Sequence, residues 1–128
     1  MSVFTLDGKS YNMIVPADGI KRSFQILDGD NAGRTISGIM KRDIIGTYYN
    51  YEITVHPKSF DPEEYDDFYE SISAPVDSHT LTFPYGQTTL TFQAYITNGE
   101  DILMFMEDGV NYWEGLTIRF IAMAPQRS

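Results

Sequence analysis

Asp61-Pro62-Glu63-Glu64-Tyr65-Asp66-Asp67-Phe68-Tyr69-Glu70-Ser71-Ile72 decides how the rest of the chain is read. Its apolar residues fall at 65, 68, 69 and 72, the i, i+3, i+4, i+7 stripe of an amphipathic helix. The spacing predicts one helix over about 62–73. Asp61 is a favoured N-cap and Pro62 suits the first helical position. Glu64 stands where a capping box places its acid, and Phe60 and Tyr65 occupy the positions of a hydrophobic staple. Glu63, Glu64, Asp66 and Asp67 favour the positive end of the helix dipole. Ala74-Pro75 stops the helix, because the residue before a proline avoids the helical region.

Outward from this helix the period changes from 3.6 to 2. Ile44 to Val55 is the longest such run, with Tyr49, Tyr51, Ile53 and Val55 on one face and Tyr48, Asn50, Glu52 and Thr54 on the other. Pro57 is expected to end it. Before it, Val3-Phe4-Thr5-Leu6 reads as a short strand, with Tyr11 to Val15 as its hairpin partner after Asp7-Gly8. Ile20 to Leu27 places Ile20, Phe24 and Ile26 on one face, and Arg34 to Arg42 reads as a further strand. After the helix, Thr80 to Phe83 and Thr88 to Thr97 alternate, the latter with Leu90, Phe92, Ala94 and Ile96 inward. Pro84-Tyr85-Gly86 is expected to turn the chain between them. Asn98-Gly99 is a tight-turn signal, answered by Ile102 to Met106 as a buried strand. Asp108-Gly109 turns again, and Gly115 to Met123 is the last strand. These elements predict a single mainly β (α+β) domain: an antiparallel sandwich or curled sheet or barrel of about eight strands with one helix packed against it.

Composition narrows the chemistry. A chain of 128 residues buries roughly two-thirds of its unfolded surface and needs no staples. It has no cysteine, hence no disulfide and no thiolate nucleophile or ligand. No segment approaches the roughly 20 apolar residues of a membrane helix, and the first residues lack the basic and apolar regions of a signal peptide. Net charge is −9, from 18 acidic and 9 basic residues. That argues against specific nucleic-acid binding, which clustered Lys and Arg drive, and suits a surface to which DNA does not adhere. Nine Tyr and eight Phe suit sheet packing and protein interfaces.

No candidate reactive centre outweighs its plainer reading. Asp28-Gly29-Asp30-Asn31-Ala32-Gly33 opens like a calcium loop, but its fifth and twelfth positions hold Ala32 and Ile39, so no metal is expected. His56 and His79 are the two histidines, and zinc catalysis takes three protein ligands. No catalytic residue and no cofactor is assigned. Glu63, Glu64, Asp66, Asp67 and Glu70 lie opposite the apolar stripe and read as a solvated face. Lys21, Arg22, Arg34, Lys41 and Arg42 concentrate base in the first third, an anion patch or, as the favoured reading, a surface complementary to acid in the same or a neighbouring copy. The lone Trp113 is an interface anchor or a plug at one end of the core.

Four stretches together carry a resemblance: Lys21 to Asp28 with Asn31 to Arg34; Arg42 to Tyr51; Ser73 to His79; and Phe120 to Pro125. They resemble a family of small prophage-encoded proteins of Gram-positive bacteria, carried among structural genes of the tail region. The resemblance implies a non-enzymatic virion component of the tail (tail tube, distal tail or tail completion type), assembled in the bacterial host cytoplasm. Its implied partners are other phage tail proteins and further copies of itself in a ring, with neither nucleic acid nor membrane. Expected contacts are Tyr48, Tyr112 and Trp113, and the group Arg22, Arg34 and Arg42 against Glu63, Glu64 and Asp67. The alternative expectation is a carbohydrate or host-surface binding module, with aromatic residues stacking on sugar rings.

Overall fold

Alternation builds the centre of the molecule around Ile44–Pro57, a strand of 14 residues. Tyr51, Ile53 and Val55 are buried on one of its faces, while Glu52 and Thr54 lie on the other. A computed structural model describes residues 4–30 and 32–127. In chain order its elements are β1 (Thr5–Leu6), β2 (Met13–Ile14), β3 (Ile20–Asp28), β4 (Gly33–Arg34), β5 (Met40–Lys41), β6 (Ile44–Pro57), α1 (Pro62–Ile72), β7 (His79–Tyr85), β8 (Thr88–Tyr95), β9 (Leu103–Glu107), β10 (Val110–Trp113) and β11 (Leu116–Ala122).

Seven strands form one antiparallel sheet in the order β1-β7-β8-β11-β6, with β2 and β3 sharing the outer edge of β6. The sheet curls into a half-barrel. Its inner face carries Leu81, Phe83, Phe92, Ala94, Tyr51, Ile53, Val55, Leu116, Ile118 and Phe120, all buried. The helix covers this face with Tyr65, Phe68 and Ile72. Rings join the two layers: Phe68 meets Phe4 and Tyr11 edge-on at 5.9 and 5.3 Å, and Phe4 stacks on Phe83 at 5.5 Å. Phe83 lies parallel to Tyr51 at 4.5 Å, and the Tyr51 hydroxyl donates to the Pro84 carbonyl at 2.8 Å. The outer face is polar, with Thr54–Thr117 and Thr82–Thr91 hydroxyl pairs across strands.

The predicted fold class and helix hold, the helix ending at Ile72. Several local expectations do not. Tyr11 to Val15 is no partner of β1, because β1 pairs β7 and Met13–Ile14 pairs Pro57 and His56 of β6. Val3 lies outside the described residues. Arg34 to Arg42 is two short strands folded on each other, since Thr35 and Gly38 turn the chain there. Pro84 pairs with Thr89 inside β7, and the chain turns later at Gly86. Ile102 to Met106 is not a buried strand: all of β9 is exposed and pairs β10 alone. The place beside β8 is already taken, because Ile121 and Ala122 of β11 face Tyr95 and Ala94. Chain segment 96–102 therefore leaves the sheet instead of turning back at Asn98-Gly99. The cap also differs. Asp61 makes no side-chain cap and accepts from Asn12 Nδ2 at 2.8 Å, while Glu64 accepts from the Asn12 N–H at 3.1 Å. No staple forms, since Phe60 is 79% exposed.

The C-terminal residues finish the sheet where β11 stops short. Gln126 donates its N–H to the Thr47 carbonyl, and the Thr47 N–H donates to the Arg127 carbonyl. The Gln126 side chain accepts from the Tyr49 N–H at 2.9 Å and donates to the Tyr49 carbonyl at 2.8 Å, as a neighbouring backbone would.

Candidate association surfaces

Large apolar side chains left in water collect on two projections from this framework. The first is the β9–β10 hairpin. Asp108 and Gly109 both have positive φ, 51° and 77°, the geometry of a two-residue turn whose twist suits a hairpin. Phe105 stacks on Tyr112 at 4.7 Å, yet Leu103, Met104, Phe105 and Met106 remain exposed, Met106 by 67%. The hairpin is fixed at its base. Buried Tyr65 of α1 donates to Asp101 at 2.8 Å, and burial together with that carboxylate pushes the Tyr65 phenol up. His56 Nδ1 donates to the Glu114 carbonyl at 2.7 Å, and the Glu114 N–H donates to the Ile102 carbonyl at 2.9 Å. Gly115 follows with φ of 116°, and a Cβ there would collide with the Val55 carbonyl.

The second projection is the arm formed by the far ends of β3 and β6 with the β4–β5 turn between them. Phe24 (69% exposed), Ile26, Ile39, Met40, Ile44 and Ile45 lie open on it. Phe24 and Ile26 do share a face with Ile20, as the period-2 pattern implies, but no layer covers that end of the sheet. Asp28 closes the base of the turn. It accepts from Arg42 Nε at 2.9 Å and from the Asp43 N–H at 3.1 Å, and the Arg42 guanidinium beside it holds its carboxyl below the usual range. That carboxylate is thus engaged by protein donors; Asn31 of the same loop lies outside the described residues. Beside the arm, Arg22, Ser23, Phe24, Tyr49 and Tyr85 line an open groove of about 350 Å³. Arg22 lies over the Tyr85 ring at 5.2 Å.

The residues expected to make contacts fall in the β3–β6 region, on β10 and on the helix. Arg34 and Arg42 share the arm, with Arg34 donating to the Gly38 carbonyl at 2.9 Å, and Arg22 lies at its base opposite Tyr51. Tyr48 is half-buried in β6, packed against the core. Tyr112 and Trp113 lie half-buried at the end of β10. Glu63 is exposed on the helix, Glu64 holds Asn12, and Asp67 pairs with Lys9 at 3.3 Å. Two of the three helix acids are therefore used within the molecule. The missed elements are Leu103 to Met106. Their signal was the acid on both sides, Glu100 and Asp101 before and Glu107 and Asp108 after, a pattern that guards an apolar strand exposed to water.

The histidines stay apart from any nucleophile contact. His79 is buried at the start of β7 and donates to Asp7 at 2.8 Å. Asp7 also accepts from the Thr80 N–H at 2.8 Å, and neighbouring Ser78 turns its hydroxyl to Gln93. Burial raises the Asp7 carboxyl, but the His79 and Thr80 donors outweigh it and hold it below the usual value. The arrangement ties β1 to β7. Among the described residues no group of three or more His, Asp or Glu is placed to hold a metal ion, and no helix is long and apolar enough to cross a membrane. Comparison of the chain with protein-family models, curated proteins and solved structures finds no match.

Proposed function

We propose that this chain is a non-enzymatic structural protein of a phage or prophage virion, associated with the tail and acting through subunit association. The observation that carries the association is the concentration of exposed Phe, Met, Ile and Leu on two projections, the β9–β10 hairpin and the arm. A protein that works alone keeps such patches small, because their burial in an interface is worth roughly 25 cal/mol per Å². The tail assignment rests on the sequence resemblance, and the acidic surface suits a part past which DNA moves without sticking. Its place is then the virion, reached by assembly in the bacterial cytoplasm, with other tail proteins and further copies as partners. Sedimentation and electron microscopy of the protein, alone and mixed with the products of adjacent genes, test this. Rings or particle-bound protein are expected; a strict monomer in every mixture refutes the reading.

One arrangement favours a second reading, binding of carbohydrate on a host surface. Half-buried Trp113 and exposed Tyr69 line a groove of about 350 Å³ together with Tyr65, Asp66, Glu70 and Asp101. Aromatic faces beside carboxylates suit the apolar face and hydroxyls of a sugar ring. Titration with cell-wall oligosaccharides, read by Trp113 fluorescence, is expected to give saturable quenching if this reading holds. No change with any of them removes it.

A further inference from the structure

We infer that the β9–β10 hairpin of one molecule docks on the arm of a second copy, a head-to-tail contact between two different surfaces of the same chain. This rests on the association reading above and names its surfaces. Both are apolar: Leu103, Met104, Phe105 and Met106 on one side, and Phe24, Ile26, Ile39 and Met40 on the other. Their charges differ, the hairpin being wholly acidic and the arm offering exposed bases. Between Gly99 and Ile118 the chain carries Glu100, Asp101, Glu107, Asp108 and Glu114 and no Lys or Arg. The arm carries Arg34, Lys41 and Arg42 among the acids Asp28, Asp30 and Asp43, and Lys21 and Arg22 stand at its base in β3, opposite Glu52 and Tyr51. Within the arm, Asp28 and Arg42 neutralise each other, which leaves Arg34 and Lys41 as the bases facing outward. At the hairpin base, Asp66 and Glu70 of the helix add to the negative field, and the Asp66 carboxyl is pushed up by burial and by Glu63, Asp67 and Glu70 around it.

Each surface also ends in an open backbone edge. Among the described residues β3 pairs with β6 alone and β9 with β10 alone. Such edges accept a further strand. The charges choose between modes of pairing. Hairpin against hairpin would bring Glu107 and Asp108 near their own copies at a cost in repulsion, whereas arm against arm joins two surfaces of mixed charge and leaves the hairpin's acids without a counter-charge. Hairpin against arm brings unlike charges around apolar centres. A contact of this kind joins unlike patches, so it propagates: it closes into a ring when the rotation allows and runs into a filament when it does not. An anionic nucleic acid or lipid surface fits the hairpin poorly, because five acids surround its apolar residues.

Sedimentation velocity across a concentration series tests the assignment on the full chain and two charge-reversed variants. One carries Glu107→Lys with Asp108→Lys, the other Arg34→Glu with Lys41→Glu; all four positions are exposed. The unaltered chain is expected to associate, more weakly as salt is raised. Each variant alone is expected to weaken association by roughly tenfold or more. Mixing the two variants, or combining all four changes in one chain, restores it. Circular dichroism melts check that the variants fold, and Met104→Ser with Met106→Ser provides an uncharged variant with the same expected loss. If the unaltered chain associates and every variant matches it, the assigned surfaces are wrong while association stands. If it is monomeric alone but joins the products of adjacent genes, self-docking is wrong and the structural reading stands. If it stays monomeric in every mixture, both fall.

Discussion

Phe83 and Phe60 have the same side chain and opposite circumstances. Phe83 is fully buried with Phe4, Tyr51, Phe92 and Phe120 around it, at ring separations of 5.5, 4.5, 6.4 and 5.7 Å. Phe60 lies in water with only Lys58 over its ring, at 5.7 Å. Phe83→Ala removes a ring from a packed cluster and is expected to destabilise by about 3–5 kcal/mol. Phe60→Ala is expected to stay within about 0.5 kcal/mol. Urea denaturation of the two variants measures both. Two carboxylates provide a similar contrast in pH. The Asp7 carboxyl is lowered in the folded state, so its contribution is present above its unfolded value of 3.8 and fades as pH falls through the lower folded value. The Asp66 carboxyl is raised, so its charged form costs stability at neutral pH and that cost vanishes below 3.8. Melting temperatures against pH are therefore expected to fall at neutral pH for Asp7→Asn and to rise for Asp66→Asn. Both differences should close in acid. Equal behaviour of the two variants would contradict the assigned contacts.

At the scale of elements, the β9–β10 hairpin depends on the short link that returns it to the sheet. Gly115 has a positive φ and no space for a Cβ beside Val55 and His56. Gly115→Ala is expected to cost more than about 1 kcal/mol and to loosen the hairpin base. Hydrogen exchange at Glu114 and Leu116 would report it, and unchanged protection would contradict it. The element that the hairpin leaves alone was the more legible in sequence. In β6 apolar and polar residues alternate because one face is covered and the other wet, and such a strand announces both its conformation and its orientation. The helix was legible for the same reason, though its cap was not. Asp61 and Glu64 are the right residue types, but Asn12 comes from a distant part of the chain and takes both carboxylates. The run Ile102 to Met106 misled because periodicity reports regularity, not cover. Five apolar residues in a row look alike in a core and on a projecting hairpin, and only the sheet order decides which they are. The arm shows the same limit, since Phe24 and Ile26 alternate correctly and still face water. The expected contact residues fared likewise: Arg34 and Arg42 lie on the arm and Arg22 at its base, but Arg42 is held by Asp28, and two of the helix acids set against the group are engaged at home.

Over the whole molecule, a half-barrel filled by one helix carries two open projections, one wholly acidic and one of mixed charge. The buried rings of the core lie on the inner sheet, on the helix and, at Phe4 and Tyr11, in the chain beside β1, and none lies on either projection. Removing the chain after Ala124 tests how the remaining rim is protected. Gln126 and Arg127 now occupy the donors and acceptors of Thr47 and Tyr49. Without them the β6 flank is bare at the level where β3 covers only its other side. The shortened chain is expected to melt lower and to capture a labelled peptide of sequence Ala-Pro-Gln-Arg-Ser supplied in trans, read by fluorescence anisotropy; no capture would mean the segment adds nothing as a strand. Gln126 and Arg127 thus plug a flank that would otherwise admit a foreign strand, and a plug supplied by one short segment is also one that the same segment of a neighbouring copy can replace.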